Sequence, residues 1–195
     1  MKVEFIIPTY DRVDLLNAML ASLAAQSSIN WTATVIIDDK ELEYRSNPHY
    51  VDNLIHCLYP LGNIRYIYSG ERYNDWGHTP REIGKQQAVA DYIIMTGDDN
   101  YYTPNFVEEL VKASEGNPGM IYWDMIHSHY DYQYFKCVPA YNQIDMGAFA
   151  TRRDLAQQIP LGVQYAADGL FVESFKHMFP NEEMVKINKV LFVHN

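Results

Sequence analysis

Three polar clusters each follow a short apolar run. Thr9-Tyr10-Asp11-Arg12 comes after residues 3–7, Asp38-Asp39 after 32–37, and Gly97-Asp98-Asp99-Asn100 after 92–95. Two of the three hold adjacent carboxylates. Neighbouring carboxylates at a buried strand end repel one another and resist desolvation, and a divalent cation relieves both problems. All-oxygen ligands suit Mg²⁺ or Mn²⁺, which bridges readily to phosphate oxygens. The competing reading of Gly97–Asn100 is a plain turn and helix cap. Farther along, Asp145 and Asp168 are isolated carboxylates. Asp168 stands ahead of an apolar run containing Leu170, Phe171 and Phe175, where it would serve as a helix N-cap.

The elements that must position these groups alternate. Residues 3–7, 32–37, 64–68 and 92–95 read as buried strands. A helix capped by Asp11 or Asp14 runs to about residue 26, with Leu15, Leu16, Met19, Leu20 and Leu23 on its apolar face. A second helix starts with Pro80 at its first position and runs to about residue 90, and a third runs from Pro104 to residue 113. That alternation implies an α/β three-layer sandwich, helices on both faces of a mainly parallel mixed sheet. The second half is less regular. Strands are expected at 120–126, 134–138, 144–150 and 185–193, and helices at 152–159 and 168–178. In such a sheet, ligands bind beyond the carboxyl ends of the strands, where the polar clusters fall.

The bulk properties set bounds. One chain of 195 residues fits one domain, and 48% hydrophobic with 21% charged residues reads as globular. A net charge of −10 argues against a nucleic-acid partner, whose phosphates need concentrated Lys and Arg. It does not exclude an anionic diphosphate held through a cation. The 16 tyrosines are mostly core material, although carbohydrate clefts also use aromatic faces. Cys57 and Cys137 have no disulfide or metal spacing and read as small buried residues. No apolar run approaches the roughly 18 residues that span a bilayer. No signal peptide precedes the first strand, so a cytoplasmic setting is expected.

The order of the motifs resembles family 2 glycosyltransferases of the GT-A fold. The resemblance rests on Ile6-Ile-Pro-Thr-Tyr-Asp-Arg12, Val35-Ile-Ile-Asp-Asp39, Pro80-Arg-Glu-Ile-Gly-Lys-Gln-Gln-Ala88 and the segment from Asp91 through Gly97-Asp-Asp-Asn100 to Val107. Asp145-Met-Gly-Ala-Phe-Ala-Thr-Arg-Arg153 and Ala167-Asp-Gly-Leu-Phe171 extend it. It implies an inverting, metal-dependent transfer of a sugar from a nucleotide diphosphate donor, with a UDP-sugar favoured, to a hydroxyl on a glycan, lipid or protein. By that resemblance Pro8, Thr9, Tyr10, Arg12, Asp39, Arg81 and Asp98 hold the nucleotide sugar. Asp99 is the ligand of Mn²⁺ or Mg²⁺ in a variant of the Asp-x-Asp motif, with His194 on the last strand as a further ligand. Asp168 takes the acceptor proton, and Asp145 and Trp76 face the acceptor side. Asn100 stands where a strict Asp-x-Asp would carry its second acid.

Residues 1–100 would form the nucleotide-sugar half of the single domain and 101–195 the acceptor half. That second half is short, so a partner or a longer polypeptide would complete an acceptor site. A nucleotidyltransferase of similar sheet would need a Gly-rich loop after the first strand, and Pro8-Thr-Tyr-Asp-Arg12 has no glycine. A non-catalytic nucleotide-sugar-binding domain would be expected to lack the base or the metal acids. His127 and His129, two apart on a strand, would share a face as an ordinary polar pair or a metal pair.

Overall fold

A computed structural model describes residues 1–40, 50–59 and 62–195. Nine strands form one mixed sheet: β1 (Val3–Thr9), β2 (Trp31–Ile37), β3 (Ile64–Tyr68), β4 (Tyr92–Met95), β5 (Tyr101–Tyr102), β6 (Met120–His127), β7 (Gln133–Phe135), β8 (Phe149–Arg152) and β9 (Met184–His194). Their order is β3-β2-β1-β4-β8-β6-β9-β5, with β7 paired to the outer half of β6. The first four strands in that order run parallel. Beyond β4 the pairing is mixed, with β8 antiparallel to both its neighbours and β6 parallel to β9. Only five residues separate β4 from β5, yet three strands lie between them in the sheet. The sheet therefore curls, and the Asp98-Asp99 turn carries the chain from interior β4 to the edge strand β5.

Side-chain alternation along β1 explains the layers. Phe5 points to one face, where its ring meets Trp31, Tyr102 and Phe106 with centroids 6.5, 5.1 and 5.9 Å away. Phe106 begins helix α4 (Phe106–Ala113). Ile6 points to the other face, against helix α3 (His78–Gln87). There a Cβ on Gly84 would lie 2.5 Å from Ile6 and 2.7 Å from Ile36, so only glycine lets α3 come this close to the sheet. Helix α1 (Val13–Ala24) buries Leu16, Met19, Leu20 and Leu23, a helical stripe. The short α2 (Tyr50–Asn53) and α5 (Arg153–Ala156) and the longer α6 (Ala167–Met178) complete the α-helices described.

One buried acid ties the parallel half together. Glu4 accepts hydrogen bonds from Thr34 Oγ1 (2.6 Å) and Arg65 Nη2 (3.2 Å) through one oxygen. The other accepts from the Val89 and Ala90 amides. A charge 2% exposed is tolerable only with such partners.

Several expectations shift. Pro80 is the third residue of α3, behind Gly77 as the cap at φ 79°. The strand expected over 144–150 is a 3₁₀ turn, Met146–Ala148, followed by β8. The helix expected over 152–159 stops at Ala156. Gln157 instead folds its amide back onto the carbonyls of Lys85, Gln86 and Ala88 and caps the end of α3. Cys57 is exposed; Cys137 is buried, which pushes its thiol pKa up. Among the described residues no helix is long and apolar enough to cross a membrane.

Candidate active site

The carboxyl ends of β1 and β4 open onto a cavity of about 620 Å³, within the range usual for small-molecule sites. Pro8, Thr9, Tyr10, Arg12, Trp76, Arg81, Asp98, Asp99, Asp145 and His194 all line it. Asp39 and Asp168 are not on its wall.

At the end of β4, Asp98 is only 4% exposed. Thr9 Oγ1 donates to its Oδ2 at 2.7 Å, and Arg12 Nη1 reaches its Oδ1 at 3.2 Å. Burial holds the Asp98 carboxyl above the ordinary carboxylate range, against the opposing pull of Thr9 and Arg12. The same Arg12 nitrogen lies 2.7 Å from Asp99 Oδ2, so one guanidinium bridges both acids. Gly97 leaves room for this turn, since a Cβ there would sit 2.6 Å from Asp99 Oδ1. Asn100 has a different role. Its Nδ2 donates to Thr96 Oγ1 and its Oδ1 accepts from the Asn195 amide, tying β4 to the end of β9.

The β2 end is built differently from the β4 end. Asp38 accepts from Arg72 and from the Tyr73 and Asn74 amides at 3.0 and 3.2 Å. It shapes the loop after β3 and needs no cation. Asp39 is buried, with Oδ1 accepting from the Lys40 amide. The Arg72 guanidinium lies 3.5 Å over the Tyr10 ring, a cation–π contact at the cleft wall. Arg81 donates to the carbonyls of Thr96 (3.0 Å) and Trp76 (2.9 Å), and burial lowers its pKa despite four nearby carboxylates. Gly77 lets α3 begin against Pro8, where a Cβ would approach to 2.8 Å. Trp76, 80% exposed, stands at the rim.

The second half of the chain also lines the cavity. Asp145 Oδ1 accepts from the Gly147 amide at 2.8 Å, and its Oδ2 faces His194 Nε2 at 3.8 Å. His194 stacks on His127 at 4.3 Å and meets His129 edge-on at 5.2 Å. His127 and His129 do not share a strand face. His127 ends β6, and His129 lies in the 3₁₀ turn Ser128–Tyr130. Burial, then His194, lowers the His127 pKa to about 4.

Asp168 is the second residue of α6, and the cap position is Ala166. Asp168 therefore does not cap the helix, although its Oδ1 accepts from the Gly169 amide at 2.7 Å. A helix N-terminus favours the ionised acid. Burial and the charge of Asp145 outweigh that, raising the pKa to about 6. Arg81 acts in the opposite direction. Asp168 thus senses two residues of the cleft wall from just behind it.

Among the described residues, no three His, Cys, Asp or Glu side chains are grouped to hold a metal ion. The donor set fits a hard cation in a narrower sense. Asp98 and Asp99 are two adjacent carboxylates, and Mg²⁺ and Mn²⁺ sites of this type take one or two carboxylates plus substrate phosphates.

Sequence reasoning missed Arg72, Asn74 and Asn195 on the cavity wall, and did not place His129 there. The strand-end rule, applied after β3 as it was after β1, β2 and β4, points to 69–74. Nothing in the spacing points to Asn195, and the spacing of His127 and His129 suggests a shared strand face, not the turn that puts His129 on this wall.

The curled mixed sheet with its carboxyl-end cleft is an α/β domain of the GT-A type. The model for glycosyl transferase family 2 matches residues 4–169, and the chain belongs to that family. An uncharacterized glycosyltransferase, YwdF, of Bacillus subtilis (strain 168) is 27% identical over 116 residues, covering 59% of this chain and 39% of that protein. An uncharacterized glycosyltransferase of Haemophilus influenzae is 23% identical over 118 residues, covering 60% and 36%. The chain thus spans well under half the length of the curated relatives it matches. Among solved structures, S. aureus TarS superposes with a TM-score of 0.76 at 14% identity, covering 100% of this chain and 37% of that one. TarS 1–349 in complex with UDP-GlcNAc gives 0.74 at 15%, covering 99% and 58%. The mannosyltransferase PcManGT from Pyrobaculum calidifontis, in complex with GDP-Man and Mn²⁺, gives 0.73 at 14%, covering 99% and 56%. At these identities the likeness is one of fold.

Proposed function

We propose that this chain transfers a sugar, with inversion, from a nucleoside diphosphate donor to a hydroxyl acceptor, with UDP-sugars favoured and a divalent cation required. The observation that carries the reading is the convergence of Thr9, Arg12, Arg81, Asp98, Asp99, Asp145 and His194 on one cavity. Family membership and the nucleotide-bound structural relatives support it. Residues 1–100 form the donor half and 101–195 the acceptor half, and both line the cavity.

Asp98 and Asp99 would hold Mn²⁺ or Mg²⁺, and His194 would join them once donor is bound. When bound, the cation would neutralise charge developing on the departing diphosphate. Thr9 keeps Asp98 in place from behind. Pro8 and Tyr10 line the base end of the donor site, Asp39 at the end of β2 would join them although it lies off the cavity wall, and Arg81 lends positive charge to it. Asp168 takes the acceptor proton as the hydroxyl attacks. A carboxyl of pKa about 6 is mostly ionised at neutral pH yet basic enough to accept a proton. Asp145 and Trp76 face the acceptor, which is a glycan, lipid or protein hydroxyl.

The test is release of nucleoside diphosphate from a panel of nucleotide sugars, with Mn²⁺ and with EDTA, in the presence of simple sugar acceptors. Cation-dependent release from UDP-sugars is expected. No release from any donor under either condition would leave a non-catalytic nucleotide-sugar-binding domain as the better reading.

A further inference from the structure

Arg12 occupies an unusual place. It sits between β1 and α1, directly after Asp11, whose φ of 55° turns the chain sharply. One of its nitrogens bridges Asp98 and Asp99 at 3.2 and 2.7 Å. That is the neutralisation a divalent cation would supply to the same pair. Among the described residues, the other two arginines on the cleft wall are engaged elsewhere. Arg81 is fixed on two backbone carbonyls, and Arg72 on Asp38 and Asn74.

The two sides of the Arg12 contact differ in freedom. Asp98 is immobilised, since Thr9 holds its second oxygen and its side chain is only 6% exposed. The Arg12 side chain is 51% exposed. It can swing outward with little loss of packing, while the acids stay where they are. Both acids and Arg12 line the cavity, so an arriving diphosphate comes within reach of the displaced guanidinium.

We propose that Arg12 is an internal counter-cation: it fills the divalent-cation position while the cleft is empty and moves to the diphosphate when metal and nucleotide arrive together. The inference rests on the reading that Asp98 and Asp99 bind a cation. Its consequence is ordered loading. A free cation must displace Arg12 and leave the guanidinium without an anion. A cation accompanied by a diphosphate gives Arg12 a new partner. Cation and nucleotide therefore bind cooperatively, each strengthening the other by the same factor.

The experiment measures Mn²⁺ affinity of the 195-residue chain from the free-ion electron paramagnetic resonance signal, with and without UDP, in the parent and in Arg12→Gln and Arg12→Lys. Without UDP, Arg12→Gln should bind Mn²⁺ about tenfold more tightly than the parent, the scale expected for removing one half-exposed cation from two carboxylates. Arg12→Lys keeps a point charge on the pair and should stay within about threefold of the parent. UDP should tighten Mn²⁺ binding strongly in the parent and much less in Arg12→Gln. A merely structural Arg12 would weaken Mn²⁺ binding or leave it alone. Unchanged or weaker Mn²⁺ affinity of Arg12→Gln without UDP, with UDP-dependent binding intact in the parent, overturns the counter-cation alone. Absence of Mn²⁺ binding in parent and variants even with UDP overturns the cation reading and the counter-cation with it. A misfolded Arg12→Gln would be recognised by its melting curve. Arg12→Lys then decides against Arg12→Met, in which the charge and its hydrogen-bond donors are lost and the apolar stem is kept.

Discussion

Replacing Asp168 with Asn should stabilise the fold while removing activity. The carboxyl has a pKa of about 6 in the folded chain against an ordinary value of 3.8, because burial and Asp145 both disfavour the charge. Since the folded state holds its proton more tightly than the unfolded chain, stability falls as pH rises from about 4 to about 6 and stays lower above that. The full difference is worth about 3 kcal/mol at 1.36 kcal/mol per pH unit. Asp168 is only partly buried, so solvent screening reduces that to about 1–2 kcal/mol. The introduced amide keeps an oxygen to accept from the Gly169 amide, as the carboxylate does at 2.7 Å. The variant should therefore unfold about 2–8 °C higher than the parent at pH 8, by the usual 2–4 °C per kcal/mol for a chain of this size. Near pH 4 the two should melt together. Sugar transfer should drop about 10²-fold or more with donor affinity nearly unchanged, as expected for a group acting in the transition state. Parallel melting curves at pH 8 and 4, with transfer rates and donor titrations on the same proteins, decide it. Equal stability at pH 8 would refute the burial argument. Transfer near the parent rate would move the base to Asp145, which faces the cavity directly.

Further outcomes follow from the same geometry. The parent transfer rate should fall as pH drops below about 6, as Asp168 takes up its proton; a profile flat to pH 5 would contradict its role. Calorimetric titration of UDP should show much weaker binding in EDTA than in Mn²⁺, and Asp99→Asn should erase the difference; equal affinity in EDTA would remove the cation from the donor site. With Asp39 as an acceptor for the uracil imide N–H, UDP and dTDP should outcompete CDP, whose ring lacks that proton; a preference for CDP would contradict the assignment. Deleting His194 and Asn195 should weaken Mn²⁺-dependent donor binding several-fold, but it also removes the Asn195 contact to Asn100. His194→Ala must therefore show the same loss for a ligand role to stand.

Legibility in the sequence followed the range of the interactions. β3 and β4 fall on the expected residues, since continuous apolar runs between turn residues leave a buried strand little choice of ends. α1 was readable from the spacing of Leu16, Met19, Leu20 and Leu23. β5 was not, because two tyrosines carry no period and become a strand only when β9 pairs with them. The helix at 152–159 was expected but its early end was not, for a similar reason: Gln157 leaves the helix for acceptors some 70 positions earlier. Within the site, the strand-end rule located Thr9, Arg12 and Asp98. It treated Asp38-Asp39 and Asp98-Asp99 alike, although Arg72 and two amides already satisfy the first acid. That difference depends on a loop conformation with no sequence pattern. The approach of His127, His129 and His194 likewise arises from the parallel β6–β9 register, which pairs His127 with His194.

Among the described residues three arginines line the cleft, and their partners separate their roles. Arg72 serves the wall: it answers Asp38, reaches Asn74 and covers Tyr10. Arg81 serves the frame, since both its hydrogen bonds end on backbone carbonyls that do not change charge in any reaction. Arg12 is bound to acids that the proposed chemistry assigns to another cation. Truncating Arg72 or Arg81 should therefore loosen the cleft whatever its ligand. Loss of Arg12 should instead shift the balance between cation and nucleotide. A chain with net charge −10 gains from such an arrangement. An anionic donor approaching an acid-lined cleft would be repelled by Asp98 and Asp99 if they stood bare. The guanidinium masks them until the donor arrives, and its half-exposed position leaves it free to move.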